Sequence, residues 1–234
     1  MSAPAELQQF ALGLSLPGPV TFEDFWPGPN REALHHVQQF ARRLGSRALY
    51  LWGPAGAGKT HLLHAVCNAG AAGRVGYLPL VEVAGYDPEI LDGLDALDCL
   101  CVDDVHLACG RAEWEHALFN CFNRFRERDG LLLLSAAAAP AALPCAREDL
   151  SSRLRSGLVC QLRAPAAEDL EDLVRFLCER RGMPVSAEVI EYMLRRIPRS
   201  VAAIAALIER LDAASLRAQR RWSVPFVKEV LALD

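Results

Sequence analysis

Apolar residues in this chain fall into short unbroken runs that alternate with segments of helical spacing. The runs at 47–52, 74–80, 98–103, 131–135 and 158–162 are rich in Leu, Val, Tyr and Cys and predict β-strands. Between them, 59–70, 88–94 and 112–128 space their large apolar residues three and four apart, which predicts helices. Upstream, Leu34, Val37, Phe40, Ala41 and Leu44 share one helical face over 31–44, with Asn30 as its expected N-cap. Strands that are apolar on both faces and alternate with helices belong to a parallel sheet covered on both sides. The fold class is therefore α/β, with a five-stranded parallel sheet between two layers of helices. Ligands of such sheets sit at the carboxyl ends of the strands.

After Pro165 the pattern becomes purely helical. Segments 168–181, 187–196, 201–221 and 224–233 each show helical spacing, punctuated by Gly182-Met183-Pro184, Pro198 and Pro225. Four short helices after a sheet predict a small bundle acting as a lid. The expected division is 1–19 as an N-terminal peptide and linker, 20–164 as the α/β unit and 165–234 as the helical lid.

Between the first strand and the helix at 59–70 lies Gly53-Pro54-Ala55-Gly56-Ala57-Gly58-Lys59-Thr60. It fits G-x-x-x-x-G-K-[ST], the phosphate-binding loop. Its glycines let backbone N–H groups turn in around an anion, and the following helix N-terminus adds partial positive charge. Lys59 reaches the outer phosphates and the Thr60 hydroxyl holds Mg²⁺. His61 completes the nucleotide-binding stretch, although the side chains of His61 and His64 are read as structural. Phe22, Phe25 and Trp26 are either core residues or the walls of a slot for a purine base.

Leu100-Cys101-Val102-Asp103-Asp104 ends a buried strand with two acids. An unpaired carboxylate there is costly, which points to a cation. Asp103 is placed to hold Mg²⁺ and Asp104 to orient an attacking water. Further along, Asp149-Leu150-Ser151-Ser152-Arg153-Leu154-Arg155 precedes the last strand. An arginine on a short helix at a domain edge can reach a neighbouring subunit's site and neutralise charge on a transferring phosphate, an effect of about 10³–10⁵ in rate.

Composition narrows the picture. The chain has 234 residues, 52% of them hydrophobic, and a net charge of −4, which excludes a broad basic footprint for nucleic acid. Arg217, Arg220 and Arg221 form only a small basic group, read as a solvated face, so no strong direct DNA binding is expected. No Lys or Arg precedes Arg31, so no basic secretory leader is expected, and the longest apolar run, 131–146, is broken by Ser135, Pro140 and Pro144. No membrane association is expected. The eight cysteines show no C-x-x-C spacing and are read as reduced thiols of a cytoplasmic protein, several acting as small hydrophobes. The six histidines form no metal-spaced cluster. Gln9-Phe10-Ala11-Leu12-Gly13-Leu14 is either a strap on the protein's own core or a linear motif for another protein's groove.

TFEDFWPG at Thr21, LWGPAGAGKTHLLHA at Leu51, CVDD at Cys101, DLSSRLRSG at Asp149 and VPFVKEVL at Val224, taken in order, resemble the DnaA/Hda family of AAA+ P-loop NTPases. The resemblance covers essentially the whole chain. No basic helix-turn-helix segment follows residue 234 and no long segment precedes residue 20, so the expectation is a short regulatory homologue of the initiator. QFALGL at Gln9 resembles the sliding-clamp-binding peptide. The resemblance implies that Gln9, Phe10, Leu12 and Leu14 dock on the β sliding clamp of DNA polymerase III. It implies bound ADP or ATP with Mg²⁺, contact with ATP-bound DnaA, and Arg153 acting in trans as an arginine finger.

Departures qualify that picture. DnaA-like sequences carry Ser/Thr-x-Asp-Arg-x-Pro after the fourth strand, where this chain reads Ser135-Ala136-Ala137-Ala138-Ala139-Pro140. The lid's sensor arginine falls on Ala202, with Arg199 one turn earlier as a substitute. Both losses favour a nucleotide-binding regulator with weak intrinsic ATPase. Two other readings stand beside it: a self-assembling, helicase-loader-like ATPase that uses Asp104 and Arg153 between like subunits, and an adaptor in which ADP only stabilises the fold.

Overall fold

A computed structural model describes residues 20–70, 73–83 and 85–232. The elements in chain order are α1 (Arg31–Ala41), β1 (Ala48–Trp52), α2 (Lys59–Ala69), β2 (Val75–Pro79), α3 (Leu80–Val83), β3 (Cys99–Asp103), α4 (Ala112–Glu127), β4 (Leu131–Ala136), α5 (Glu148–Arg155) and β5 (Leu158–Gln161). Then follow α6 (Leu170–Arg180), α7 (Ala187–Leu194), α8 (Val201–Ala218) and α9 (Val224–Leu231). The five strands form one sheet in the order β2-β3-β4-β1-β5, with every pair parallel.

The unbroken apolar runs follow from the two-sided burial of this sheet. Tyr50, Leu100, Val102, Leu132 and Leu134 face α4 and α5, where Trp114, Phe122, Phe125, Leu150 and Leu154 complete one core. Leu49, Leu51, Cys99, Cys101, Leu131 and Leu133 point the other way, onto Val37 and Phe40 of α1 and Leu62, Leu63 and Val66 of α2. Successive strand residues point to opposite faces, so both must be apolar when helices cover both. A third core joins α6 to α9 through Leu173, Val174, Ile190, Met193, Ile204, Ile208, Phe226 and Val227, and Trp26 packs against it.

Some local expectations are corrected. The segment 88–94 is not one helix: 3-10 turns at Pro88–Leu91 and Leu94–Ala96 are separated by Gly93 at φ 82°. Asn30 holds the N-cap position of α1 as expected, but its side chain makes no capping hydrogen bond. Its buried amide instead exchanges two hydrogen bonds with the Arg163 backbone, at 2.9 and 2.8 Å, tying the start of α1 to the strand exit. The last predicted turn of α8 is missing because Gln219 adopts a left-handed φ of 51°. The cysteines are not all free: Cys109 and Cys145, 36 residues apart, are joined as a disulfide with Cα atoms 4.5 Å apart. Their proximity is tertiary, so local spacing could not show it.

Candidate functional site

The phosphate loop leaves β1 at the carboxyl edge of the sheet and enters α2 at Lys59. Two close approaches shape it. A Cβ on Gly53 would stand 2.2 Å from the Leu162 carbonyl oxygen. One on Gly58, whose φ is 93°, would stand 2.5 Å from the Phe25 ring. Glycine is required at both for steric reasons, and at Gly58 for its backbone as well. Pro54, Ala55 and Gly56 form the exposed crown of the loop, while Ala57 is buried beneath it. The Lys59 ammonium donates to the carbonyl oxygens of Gly53 and Pro54, at 2.8 and 3.1 Å, so its charge lies over the loop. His61 lies behind it, its Nε2 3.0 Å from the Thr21 carbonyl and its ring 5.5 Å from that of Phe25. Burial depresses the His61 imidazole below its ordinary value, despite the Thr21 carbonyl and the charge of Asp24.

Asp103 is buried and is the hub of the acidic side. The Thr60 hydroxyl donates to its Oδ2 at 2.7 Å, the Tyr77 phenol donates to the same oxygen at 2.9 Å, and the Ser135 hydroxyl donates to Oδ1. Sheet register explains the assembly. Tyr77 pairs with Cys101, and Val102 with Leu134, so Tyr77, Asp103 and Ser135 lie together on the face covered by α2. Burial and the Asp103 charge both push the Tyr77 phenol upward, so it stays a donor. A hydroxyl beside a carboxylate is the hard-oxygen donor set that Mg²⁺ prefers, and Thr60 with Asp103 fits that ion.

Asp104 has a φ of 58°, in the left-handed region that non-glycine residues seldom occupy. Its N–H donates to Ser135 Oγ at 2.9 Å, so the same serine bridges Asp103 and the Asp104 backbone. Its Oδ1 lies 3.9 Å from His106 Nδ1, while that nitrogen accepts the Ala137 N–H at 3.3 Å.

A cleft of about 550 Å³ runs from the phosphate loop to the lid. Gly56, Ala57, Gly58 and His61 form its floor, Phe25, Trp26 and Pro165 one wall, and Leu173, Leu177, Val201 and Ala205 the lid side. Of the three aromatics considered from sequence, Phe25 and Trp26 line the cleft, whereas Phe22 packs on the α1/α2 core. The cleft-facing residues of α8 are Val201, Ala205 and Glu209, and neither Ala202 nor Arg199 is among them. The cations lining the lid side are Arg180, the last residue of α6, and Arg181, its C-cap. Arg180 pairs with Asp24 at 2.9 Å, an exposed ion pair between the lid and the α/β unit. Sequence reading missed Arg180, Arg181 and Tyr77. A basic pair ending a helix and a tyrosine in a strand carry no local signature.

Arg153 sits on α5, half-buried, away from this cleft. Its Nε donates to Asn123 Oδ1 at 3.0 Å and its guanidinium lies 5.9 Å from the centre of the Phe119 ring, both residues on α4. Gln9, Phe10, Leu12 and Leu14 fall outside the described residues.

The bacterial DnaA ATPase domain model matches residues 16–78 and 89–161, and the Hda lid domain model matches 168–231. Domain III of the Thermotoga maritima replication initiation protein DnaA aligns at 22% identity and TM-score 0.73, covering 92% of this chain and 97% of that one. AMPPCP-bound DnaA from Aquifex aeolicus aligns at 25% identity and TM-score 0.70, covering 83% of this chain and 65% of that one. The T. maritima RuvB Holliday junction branch migration motor shares the fold at 15% identity and TM-score 0.64, covering 89% of this chain and 69% of that one. The chain belongs to the bacterial DnaA ATPase domain family, as an AAA+ protein whose lid is of the Hda type.

Proposed function

We propose that this protein is a cytoplasmic regulator of DNA replication initiation that holds ADP or ATP and promotes ATP hydrolysis by the initiator DnaA. In this reading residues 1–19 carry the clamp contact, 20–164 the nucleotide-binding unit and 165–234 the lid. Gln9, Phe10, Leu12 and Leu14 dock on the β sliding clamp, and Arg153 enters the nucleotide site of a neighbouring DnaA.

The site residues divide by chemistry. Backbone N–H groups of the loop's crown and of the start of α2 cradle the phosphates, Lys59 supplies a cation for the outer ones, and Phe25 and Trp26 flank the base. Thr60 and Asp103 hold Mg²⁺, which when bound offsets charge on the β- and γ-phosphates. Asp104 orients water. Alanines at 137, 138 and 202, and Val201 and Ala205 facing the cleft, leave few groups to read a terminal phosphate. Slow turnover by the protein alone is expected.

The observation that carries the reading is the position of Arg153. It is half-buried on α5, held by Asn123 and Phe119 and outside its own nucleotide cleft, which supports a role in trans over one in its own site. The decisive measurement is ATP hydrolysis by DnaA on clamp-loaded DNA. Stimulation should disappear with Arg153→Ala while clamp co-elution persists, and Gln9→Ala should abolish both. Full stimulation by Arg153→Ala would refute the mechanism. Rapid hydrolysis by the isolated protein, lost with Arg153→Ala, would point to a self-assembling ATPase.

A further inference from the structure

Cys109 follows the turn after Asp104, and Cys145 lies three residues before α5 begins. Both are half-buried and flanked by exposed Gly110, Pro144 and Ala146, whereas five of the other six cysteines are buried. Their alignment does not depend on the bond between them. Glu115, fully buried on α4, accepts the Gly110 and Ala146 N–H groups on Oε1 at 2.7 and 2.9 Å, and the Arg147 N–H on Oε2 at 2.8 Å. One carboxylate thus stitches together the residues that follow each cysteine. Burial works to raise its pKa, but the three N–H groups and the Arg147 charge outweigh that and hold it below the ordinary range.

We propose that Cys109 and Cys145 form a reversible thiol–disulfide site whose oxidation state sets how firmly the start of α5 is held against α4. The link to Arg153 runs through one ring: the guanidinium groups of Arg147 and Arg153 lie 5.5 and 5.9 Å from the centre of Phe119. A covalent tie at Cys145 restrains Arg147 two residues on, and with it the platform that Arg153 shares. The consequence for DnaA rests on the function proposed above; the site itself does not. Thiol–disulfide exchange requires access, which this half-buried pair has and the five buried cysteines lack. A metal is a poorer fit for the same three residues, because three N–H groups already occupy the Glu115 oxygens.

The co-reactant is a small disulfide of the glutathione class. One protein thiolate attacks it and expels a glutathione thiolate, giving a mixed disulfide. The second protein thiolate then attacks the protein sulfur of that bond and expels the second glutathione. Two electrons pass from the protein dithiol to glutathione disulfide, and the two protons end on the glutathione thiols.

The full chain equilibrated across glutathione redox ratios, alkylated and mapped by peptide mass, tests the site without DnaA. A linked Cys109–Cys145 peptide should appear with six thiols still alkylated, and revert with excess reductant. Hydrogen exchange of the α5 amides should slow roughly tenfold in the oxidised form. Cys145→Ser should abolish both responses, and Cys109→Ala serves if that variant folds poorly. Eight alkylated thiols at the oxidising limit, links through other cysteines, a persistent glutathione adduct, or one equivalent of zinc retained by the reduced protein would each overturn the proposal. So would equal exchange of the α5 amides in both forms. Loss of DnaA stimulation with an intact redox response would instead count against the proposed function.

Discussion

Tyr77 donates its phenol to Asp103 at 2.9 Å, across the register of two neighbouring strands. With Thr60 and Ser135 it makes three hydroxyl donors on one buried carboxylate. That network, rather than Asp103 alone, presents an oxygen site beside the phosphate loop. Tyr77→Phe removes one donor and leaves two. It should lower unfolding free energy by about 1 kcal/mol, read from denaturant midpoints. An unchanged midpoint would mean the phenol contributes nothing net.

Lys59→Ala removes the cation poised over Gly53 and Pro54. Affinity for a fluorescent ADP analogue should fall by roughly a hundredfold, the size of a desolvated charge-assisted contact of about 3 kcal/mol. The melting temperature without nucleotide should hardly move, because Lys59 bonds only carbonyls of its own loop. Equal binding by the variant would deny Lys59 contact with phosphate.

Asp24 and Arg180 join the lid to the base by an exposed pair, worth about 0–1 kcal/mol. Its effect should be kinetic. Arg180→Ala should speed ADP release several-fold with a small loss of stability, measured by stopped-flow chase of a labelled nucleotide. The swap Asp24→Arg with Arg180→Asp should restore slow release if the pair acts as a latch.

Burial depresses His61 and, with the nearby His61 charge, His64, although Asp103 opposes the shift at His64. A depressed histidine favours the folded state fully above its unfolded pKa, about 6.5. Below that pH the unfolded chain binds protons that the folded one refuses. Thermal stability should therefore hold above pH 7 and decline as pH falls below 6.5. His61→Gln should flatten that decline. A melting temperature constant from pH 7.5 to 5.5 would contradict the assignment.

Asn123→Ala removes the side-chain hydrogen bond to Arg153 without removing the guanidinium. Stimulation of DnaA should fall by a few-fold, less than with Arg153→Ala, because the Phe119 contact still orients the group. Equal losses in both variants would indicate that Asn123 matters for more than positioning.

Much of this protein was open to reading from its residues in order. The alternation of apolar runs with helical spacing specified a covered parallel sheet, because period and length are local properties. The phosphate loop was legible for the same reason: its chemistry needs eight consecutive residues, and β1 and α2 flank it as expected. Asp103 stood out because a buried strand ending in carboxylates needs a partner. What the fold alone decided are relations across long separations. Tyr77 and Ser135 reach Asp103 only through strand register, and the Asn30 amide serves Arg163 rather than its own helix. Arg180 faces the cleft because the lid folds back over the loop, and Cys109 meets Cys145 because Glu115 draws two loops together. Local pattern dictates which element forms. Which side chains then meet depends on packing those elements, where contacts tens of residues apart leave no periodic trace.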